Sequence, residues 1–296
     1  MNRTSITTAI KSGKILVSDG AWGTFLLQKG LKAGECPELW NLTHPDAIRE
    51  IARSYINAGA NMIETNSFGG TSFKLEHYGL ADRVSEINEE AARLSREEAG
   101  NGNWVIGSVG PTGKMLLMEE VTREELYDAF KLQISALEKG GADAVCIETM
   151  IDLDEALLAI RAAKENTRLE VICTFTFDAI SENEYRTMMG IAPAEAAVAC
   201  KNEGADIIGT NCGNGLKNMI NIVAQMREVL LDIPILVHAN AGLPEIKNGG
   251  IVYPETPEQM RALVPQIVAA GANIIGGCCG TTPEHIRVIK EMANEL

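Results

Sequence analysis

A short phrase of apolar residues recurs four times along the chain, and each copy starts beside a glycine and ends in polar residues or cysteine. The copies occupy residues 58–66, 140–149, 203–211 and 270–278. A glycine at a helix end commonly adopts the left-handed conformation that terminates the helix, and a short apolar run after it is typical of a buried strand. Each copy therefore predicts the end of a helix followed by a strand. The intervals between copies leave room for one more strand and helix.

Four further apolar, β-branched segments bounded by turn residues predict those additional strands. They span residues 15–20, 104–110, 171–177 and 233–240. Helices are predicted between the strands, because threonine before proline or acidic residues is the pattern of a capped helix start. These starts fall at Thr43, Thr122, Thr256 and Thr282.

Strands and helices that alternate in this way predict a parallel sheet with helices on its faces. Eight strand–helix units in 296 residues favour one closed (β/α)₈ TIM barrel. The alternative is a doubly wound open sheet, which usually has fewer strands and a glycine-rich first turn. No linker, low-complexity stretch or block of charge divides the chain. We therefore expect residues 1–296 to form one α/β domain.

The composition is that of a folded globular protein, and its charge narrows the range of partners. Hydrophobic residues make up 46% of the chain and charged residues 22%, which argues against a disordered or fibrous chain. The 26 Lys and Arg residues against 40 Asp and Glu residues leave a net charge of -14. Because such a surface would repel a polyanion, we expect no nucleic-acid partner. No segment is long and apolar enough to predict a membrane span.

The cysteine count and the amino-terminal segment indicate the compartment. Residues 1–13 are polar and lack the apolar run of a secretory signal. The seven cysteines form an odd set, and a disulfide framework is not expected in a chain without an export signal. These features predict a cytoplasmic protein with reduced thiols.

Three of the cysteines fall at predicted strand ends on one rim of the barrel. Cys212 follows the sixth strand, and the adjacent Cys278 and Cys279 follow the eighth. Active sites of such barrels lie at the carboxyl ends of the strands, and three thiolates suit Zn²⁺ while leaving one tetrahedral position open. A redox-active dithiol and buried core cysteines are the alternatives. For Cys146, Cys173 and Cys200, which lie within other predicted strands and helices, burial in the core is the favoured interpretation.

Other polar side chains end strands on the same rim. Asp19 and Glu148 end the first and fourth predicted strands, and Glu64 and Asn66 end the second. Two carboxylates in one site can hold a substrate ammonium or act as acid and base. A carboxylate at a strand end can equally cap the next helix. His238 is the histidine that falls at a strand end, and it is a further candidate for the site.

The segments that contain these candidates resemble the homocysteine S-methyltransferase family. Residues 275–286, with the paired cysteines, are similar to the carboxyl-terminal zinc signature of that family, and residues 211–213 are similar to its first zinc-ligand motif. Further motifs match in the same order at residues 18–21, 64–69, 107–113, 148–149 and 240–244. Within the family, the chain most resembles the homocysteine-binding module of cobalamin-dependent methionine synthases.

The resemblance implies a zinc-dependent methyltransferase. Zn²⁺ would be held by Cys212, Cys278 and Cys279, and the thiol of homocysteine would take the open position and attack a methyl group to give methionine. A chain that holds only the thiol site must receive the methyl group from elsewhere, and methylcobalamin on a separate corrinoid protein is the expected source. The alternatives are a stand-alone enzyme that uses S-methylmethionine or betaine, and a zinc or redox module without turnover.

The resemblance also implies which residues bind the substrate. Asp19 and Glu148 would hold the ammonium group of homocysteine, and backbone N–H groups near Gly20 and Ala21 would hold its carboxylate. The rest of the implied substrate site consists of motif residues at the ends of the second and seventh strands, namely Glu64, Asn66 and Asn240.

Overall fold

The computed structural model describes residues 4–247 and 250–296, apart from the side chain of Asn214, and its central feature is a sheet of eight parallel strands. Each of these strands overlaps one of the eight predicted segments. They are β1 Leu16–Val17, β2 Met62–Glu64, β3 Trp104–Val109, β4 Ala144–Met150, β5 Glu170–Phe175, β6 Ile207–Gly215, β7 Ile235–Asn240 and β8 Ile274–Gly277.

The strands close into a barrel, which confirms the predicted (β/α)₈ fold. Parallel pairing runs in the order β1-β8-β7-β6-β5-β4-β3-β2. The two ends of this series meet at Asn61, just before β2. Its N–H donates to Val17 O of β1 at 2.7 Å, and the Val17 N–H donates to Asn61 Oδ1 at 3.0 Å. Eight strands leave an interior that is just wide enough for side chains to fill.

Helices cover the outside of the barrel and pack their apolar faces against the strands. The helix starts predicted at Thr122, Thr256 and Thr282 are confirmed, because each is an amino-terminal cap. The start predicted at Thr43 is wrong, since Thr43 ends a short helix and the next one begins after His44. No helix in the described part of the chain is long and apolar enough to cross a bilayer. The helices are α1 Ile6–Lys11, α2 Gly23–Gln28, α3 Trp40–Thr43, α4 Pro45–Asn57, α5 Ser72–Glu76, α6 Val84–Ala99, α7 Arg123–Gly140, α8 Leu153–Asn166, α9 Pro193–Glu203, α10 Leu216–Val229, α11 Pro257–Ala269 and α12 Pro283–Glu295, with 3₁₀ turns at Ala81–Arg83 and Leu116–Met118.

Apolar side chains fill the amino-terminal end of the barrel, and α1 closes it. Glu170 fixes this helix by accepting the N–H groups of Ile6 and Thr7 at 2.5 and 3.0 Å. Because this end is packed, the carboxyl ends of the strands form the open end. The packed layer takes Ile6 and Ile10 from α1 and at least one residue from every strand, namely Leu16, Met62, Ile106, Ala144, Cys146, Ile172, Ile207, Leu236 and Ile274.

Two strands are irregular at their carboxyl ends. The pairing register shifts near the end of β4 and again near the end of β6. Thr149 and Cys212, which lie at these shifts, have left-handed backbone conformations with φ of 60° and 58°. Irregularities of this kind re-aim side chains and are common beside active sites. They occur on the rim where the sequence places its candidate residues.

Two antiparallel hairpins, which the sequence analysis does not predict, extend from the same rim. The first hairpin, Asp178–Ser181 with Glu184–Arg186, follows β5. The second hairpin, Glu245–Lys247 with Gly250–Val252, follows β7. The 3₁₀ turn Leu116–Met118 likewise follows β3. These three segments surround the open end of the barrel.

Candidate functional site

A cavity of about 260 Å³ opens at the carboxyl ends of the strands and gathers most of the predicted site residues. Asp19 and Asn240 are buried but are not part of its lining. His238 of β7 does line it. The predicted residues in the wall are Gly20, Ala21, Glu64, Asn66, Glu148, Cys212, Cys278 and Cys279.

Cys212, Cys278 and Cys279 form one cluster, in which the three sulfur atoms lie within 4.8 Å of one another. Cys212 reaches the cluster from its left-handed position at the end of β6. The other two are positioned by the end of β7, because the Cys278 N–H donates to Ala239 O at 2.7 Å and the Ala241 N–H donates to Cys279 O at 3.0 Å. The fold thus brings together three cysteines that are far apart in sequence.

A glycine directly after the cysteine pair allows this arrangement. Gly280 has a left-handed φ of 79°, and a Cβ atom there would lie 2.2 Å from Cγ of Tyr253. The side chain of Tyr253 hydrogen-bonds to Cys279, so a larger residue at position 280 would disturb the cluster. Sequence reasoning missed Tyr253, because it follows the second hairpin and no motif marks it.

The three thiols hydrogen-bond to one another, and these bonds give them different pKa values. Hydrogen bonds from Cys212 and Cys278, with a further one from Tyr253, lower the pKa of Cys279 to about 3 despite its burial. The pKa of Cys278 is raised well above its usual range by its hydrogen bonds to the other two sulfurs and by burial. One thiolate flanked by two thiols is therefore the favoured state of the cluster by itself.

This set of donors fits a soft divalent metal ion. Three neighbouring thiolates repel one another, and a divalent cation removes that repulsion as it replaces the shared protons. Sulfur ligands select zinc over harder ions such as Mg²⁺, and a site of three residues leaves one position for an incoming ligand. Among the described residues, this is the one group of three or more potential ligands close enough to hold a metal.

Three carboxyl groups make the other part of the site acidic. Asp19, Glu64 and Glu148 are all more than nine-tenths buried. Burial is the main cause that raises the pKa of Asp19 to about 6 and that of Glu148 to about 7. The pKa of Glu64 lies well above its usual range, because the charges of Glu148 and Asp19 add to its burial. An ammonium group in the cavity would relieve this repulsion.

The three acids differ in how many protein donors they meet. The Asp19 carboxylate accepts from Trp22 Nε1 and from the Glu64 N–H, both at 2.8 Å. Glu148 accepts hydrogen bonds from the Ser108 hydroxyl and, at 3.4 Å, from Asn211 Nδ2. Glu64 Oε1 has no hydrogen-bond partner, although Glu64 lines the cavity. Glu64 therefore has the most capacity for a ligand, whereas Asp19 chiefly holds the wall in place.

His238 lies beside this acidic wall. Its Nδ1 atom is 3.5 Å from Glu64 Oε1. Burial lowers the pKa of His238 to about 4, so the ring is neutral at physiological pH. A neutral ring adds no positive charge to the wall, and the acids remain available to an incoming cation.

The loop after β1 packs tightly against β8. The Ala21 N–H donates to Thr281 Oγ1 at 3.1 Å, and a Cβ atom on Gly20 would lie 2.7 Å from the same oxygen. Thr281 Oγ1 in turn donates to Cys278 O at 2.7 Å. The loop that sequence analysis assigns to the substrate carboxylate is thereby joined to the cysteine pair. The Ala21 N–H already has a partner within the protein.

The two predicted asparagines differ in how their side chains are hydrogen-bonded. Asn66 Nδ2 donates to Pro37 O at 2.7 Å and to Asn41 Oδ1 at 3.1 Å, so both of its amide hydrogens hold the protein together. Asn240 ends β7 directly before the backbone group that binds Cys279, and it is 3% exposed. Asn66 therefore supports the wall, whereas Asn240 Oδ1 is buried without a hydrogen-bond partner.

The cysteines outside the cluster are core residues. Cys146, Cys173 and Cys200 are at most 1% exposed, which confirms the core interpretation from sequence. Cys36 is buried near Glu38 and donates to its carboxylate at 3.4 Å. All seven cysteines are free thiols, and only three of them share the cavity.

Glu64→Gln should stabilise the folded protein at high pH, because it removes one of the three carboxyl groups that are buried close together. A carboxyl group whose pKa is raised on folding stabilises the fold below its unfolded pKa, and this contribution is lost as the pH rises through the folded value. We expect Glu64→Gln to raise the unfolding temperature at pH 8 by about 2 °C, for a gain of about 1 kcal/mol, with little effect at pH 4. Differential scanning calorimetry measures both. The exposed Glu182 provides the control Glu182→Gln, and an equal shift in that variant would contradict the explanation.

Comparison with known sequences adds a family to this geometry. The family model for homocysteine S-methyltransferase matches residues 16–293. The chain is 32% identical to the methionine synthases of Mycobacterium tuberculosis and Mycobacterium leprae, over 95% and 93% of its own length. The same alignments cover 25% and 24% of those two proteins. The chain thus spans about a quarter of the length of the curated relatives that it matches.

Comparison with solved structures supports the fold. The metallated form of the homocysteine methyltransferase MmuM from Escherichia coli is similar with a TM-score of 0.78 at 24% identity, over 96% of this chain and 98% of that one. A methyltransferase from Methanosarcina mazei is similar with a TM-score of 0.63 at 11% identity, over 98% of this chain and 97% of that one. Because the family model extends over nearly the whole barrel, including the cysteine cluster and the acidic wall, the chain belongs to the homocysteine S-methyltransferase family.

Proposed function

We propose that this chain transfers a methyl group to the thiol of homocysteine, giving methionine, in a zinc-dependent reaction. One observation carries the proposal: a single cavity is lined both by the three-cysteine cluster and by buried carboxyl groups. A ligand that has a thiol and an ammonium group can satisfy both parts at once. Homocysteine has these groups, and membership of the family makes it the first candidate.

Cys212, Cys278 and Cys279 would hold the zinc ion. A free thiol has a pKa of about 8.5 and is mostly protonated at neutral pH; zinc, when bound, supplies the acidity that makes a substrate thiol a thiolate at pH 7. The protein's own contribution is to hold the three sulfurs together. The backbone hydrogen bonds from Cys278 to Ala239 and from Ala241 to Cys279 do this for the vicinal pair.

Glu64 and Glu148 would bind the ammonium group of the substrate, and Asp19 would position Glu64. Glu64 Oε1 is an unpartnered carboxylate oxygen of a wall residue, and the Glu64 N–H is held by Asp19. We assign the carboxylate end of the substrate to backbone N–H groups of the loop around Gly20 and Ala21, other than the Ala21 N–H, which donates to Thr281 Oγ1. Anchoring the substrate at both ends restricts how its thiolate approaches, which favours the in-line geometry needed for displacement at a methyl carbon.

A methylcorrinoid on a separate protein is the methyl donor that we favour. The alignment with about a quarter of each methionine synthase supports this choice. A separate donor protein would have to dock at the open rim of the barrel, and large apolar side chains are exposed there. The segments that follow β3, β5 and β7 expose large apolar side chains at Leu117, Met118, Ile180, Met188, Ile246 and Ile251.

The test is a spectroscopic assay of methylcobalamin demethylation by zinc-loaded protein and homocysteine, run with and without a chelator. We expect the methylcobalamin absorption to decay and methionine to form in equal amount, and we expect the chelator to stop both. S-methylmethionine and betaine are offered as donors in parallel. Methionine formed from one of these, and not from methylcobalamin, would replace the corrinoid donor. Stoichiometric zinc without methylation of any thiol would contradict the enzyme assignment and favour a zinc or redox module.

We place this reaction in the cytoplasm. All seven cysteines are free, and three neighbouring thiols are prone to form disulfides outside a reducing compartment. A reducing environment would keep the cluster able to bind metal.

A further inference from the structure

The side chain of Asn211 joins the ends of three strands and uses its whole hydrogen-bonding capacity in doing so. It is fully buried. Its Oδ1 atom accepts from the Thr149 N–H and from Thr174 Oγ1, both at 2.8 Å. Its Nδ2 atom donates to Thr149 Oγ1 at 2.7 Å and to Glu148 Oε2 at 3.4 Å. An amide has two acceptor sites and two donor hydrogens, so this side chain holds other residues and has no capacity left for a ligand.

These contacts cross the sheet. Asn211 belongs to β6 and Thr149 belongs to β4, and β5 lies between those two strands. Backbone pairing relates the two strand ends only through β5, which pairs with Met150 of β4 and with Thr210 of β6. The Asn211 side chain supplies a direct connection between them, with Thr174 of β5 as a third member.

The connection coincides with unusual backbone geometry on both sides. Thr149 and Cys212 both have left-handed φ angles, 60° and 58°. A β-branched residue is rare in this region, and such a conformation persists only where the surrounding structure enforces it. At Thr149 the enforcing group is Asn211, which binds both the backbone N–H and the hydroxyl.

We infer that Asn211 is a positioning residue that sets the separation between the Cys212 thiol and the Glu148 carboxylate, and that this separation selects the length of the thiol substrate. The inference rests on the proposed function. Homocysteine and cysteine carry the same ammonium and thiol groups, but homocysteine has one more methylene between them. A site anchored firmly at both ends fits one of these lengths, whereas a site with a loose connection accepts both.

Cobalt-substituted protein provides a test that needs no methyl donor. Co²⁺ held by thiolates absorbs visible light, and the spectrum changes when another thiol coordinates, so titration with homocysteine and with cysteine gives two dissociation constants. We expect the wild-type protein to bind homocysteine at least about 10-fold more tightly than cysteine, within the range that one methylene provides. In Asn211→Ala, we expect homocysteine binding to weaken by about 10- to 100-fold and cysteine binding to change much less.

Asn166→Ala is the matched control. The Asn166 amide also bridges two groups, Tyr127 Oη at 2.9 Å and Ala162 O at 2.8 Å, but it lies at the end of α8 and contacts no cavity residue. We expect this variant to keep both dissociation constants.

Thr149→Val is the second test variant, because it removes one group that Asn211 binds and keeps the side-chain size. This variant should also reduce the preference for homocysteine over cysteine, and it provides the test if Asn211→Ala does not fold.

The titrations distinguish failure of the positioning role from failure of the proposed function. If folded Asn211→Ala keeps both constants, or if the affinities for both thiols fall equally, the positioning role is overturned. If the wild-type protein binds Co²⁺ and its spectrum responds to neither thiol, the proposed function itself is overturned.

Discussion

Cys278→Ala is expected to abolish both zinc retention and methyl transfer. Cys278 hydrogen-bonds to both other sulfurs of the cluster, and its removal leaves two protein ligands where three would bind the metal. Loss of a direct ligand should weaken zinc binding by more than the roughly 10- to 100-fold that changes around the ligands cost. Metal content after dialysis against a mild chelator, measured together with methionine formation, checks this.

The Cys200→Ala variant distinguishes the loss of a metal ligand from a general loss of stability. Cys200 is buried in α9 and shares a hydrogen bond with Cys173, but it does not belong to the cluster. This variant should keep its zinc and its activity and lose about 1 kcal/mol of stability through the small cavity it creates. Full activity in Cys278→Ala would remove the metal assignment. Loss of zinc from both variants would show that unfolding, and not ligation, explains the result.

The barrel could be predicted from sequence because its signals are local and repeated. Four strands are short apolar runs after a helix-ending glycine, at Gly59, Gly141, Gly204 and Gly271, all of which have left-handed backbone conformations; the other four are apolar, β-branched runs between turn residues. The first hairpin could not be predicted in this way. The residues of Asp178–Ser181 are all exposed, so no alternation of buried and exposed positions marks them as a strand.

Thr43 shows the limit of local capping signals. Its sequence context, a threonine shortly before proline, matches a helix start, but α3 occupies the preceding residues and takes Thr43 as its last member. The Thr43 hydroxyl donates back to Leu39 O at 3.2 Å, inside that short helix. The competing helix is stabilised by tertiary packing around Trp40, which a cap motif does not encode.

The sequence predicted those site residues that lie at the carboxyl ends of strands. Cys278 and Cys279 would point to opposite faces of a regular strand, but β8 ends at Gly277, and both cysteines lie in the turn that follows. Individual hydrogen bonds between side chains that are far apart in sequence could not be predicted. The Glu148–Asn211 contact spans 63 positions in sequence, and no local pattern indicates it.

The acids illustrate the same limit. Sequence motifs single out Asp19 and Glu148 as the pair for the substrate ammonium. The Asp19 carboxylate, however, is occupied by Trp22 and by the backbone of Glu64, and the unpartnered oxygen belongs to Glu64. Hydrogen-bond occupancy depends on neighbours in space, so only the folded chain distinguishes an acid with an unpartnered oxygen from one whose carboxylate is occupied by the protein.

Glu148→Gln is expected to raise the KM for homocysteine by about 100-fold, because removing one charge of a buried pair costs about 3 kcal/mol. The amide oxygen that this substitution introduces would still accept the Ser108 hydroxyl, but the new NH₂ group would face Asn211 Nδ2 and lose that hydrogen bond, so a second substrate is needed to report any change in the shape of the wall. The matched substrate is 4-sulfanylbutanoate, which is homocysteine without its amino group. Steady-state kinetics should show little change in its KM between the two proteins, since it offers no ammonium to the carboxylate.

The pH dependence provides a second check on the same residue. The pKa of Glu148 is raised to about 7 by burial, and only the ionised carboxylate attracts an ammonium group. The affinity of the wild-type protein for homocysteine should therefore rise between about pH 6 and pH 8, and this rise should be smaller in Glu148→Gln. Glu155→Gln is the control, because Glu155 is also buried but binds Thr112 outside the cavity. An equal increase in KM for 4-sulfanylbutanoate, or an equal effect of Glu155→Gln, would show that Glu148 shapes the barrel and does not bind the substrate ammonium.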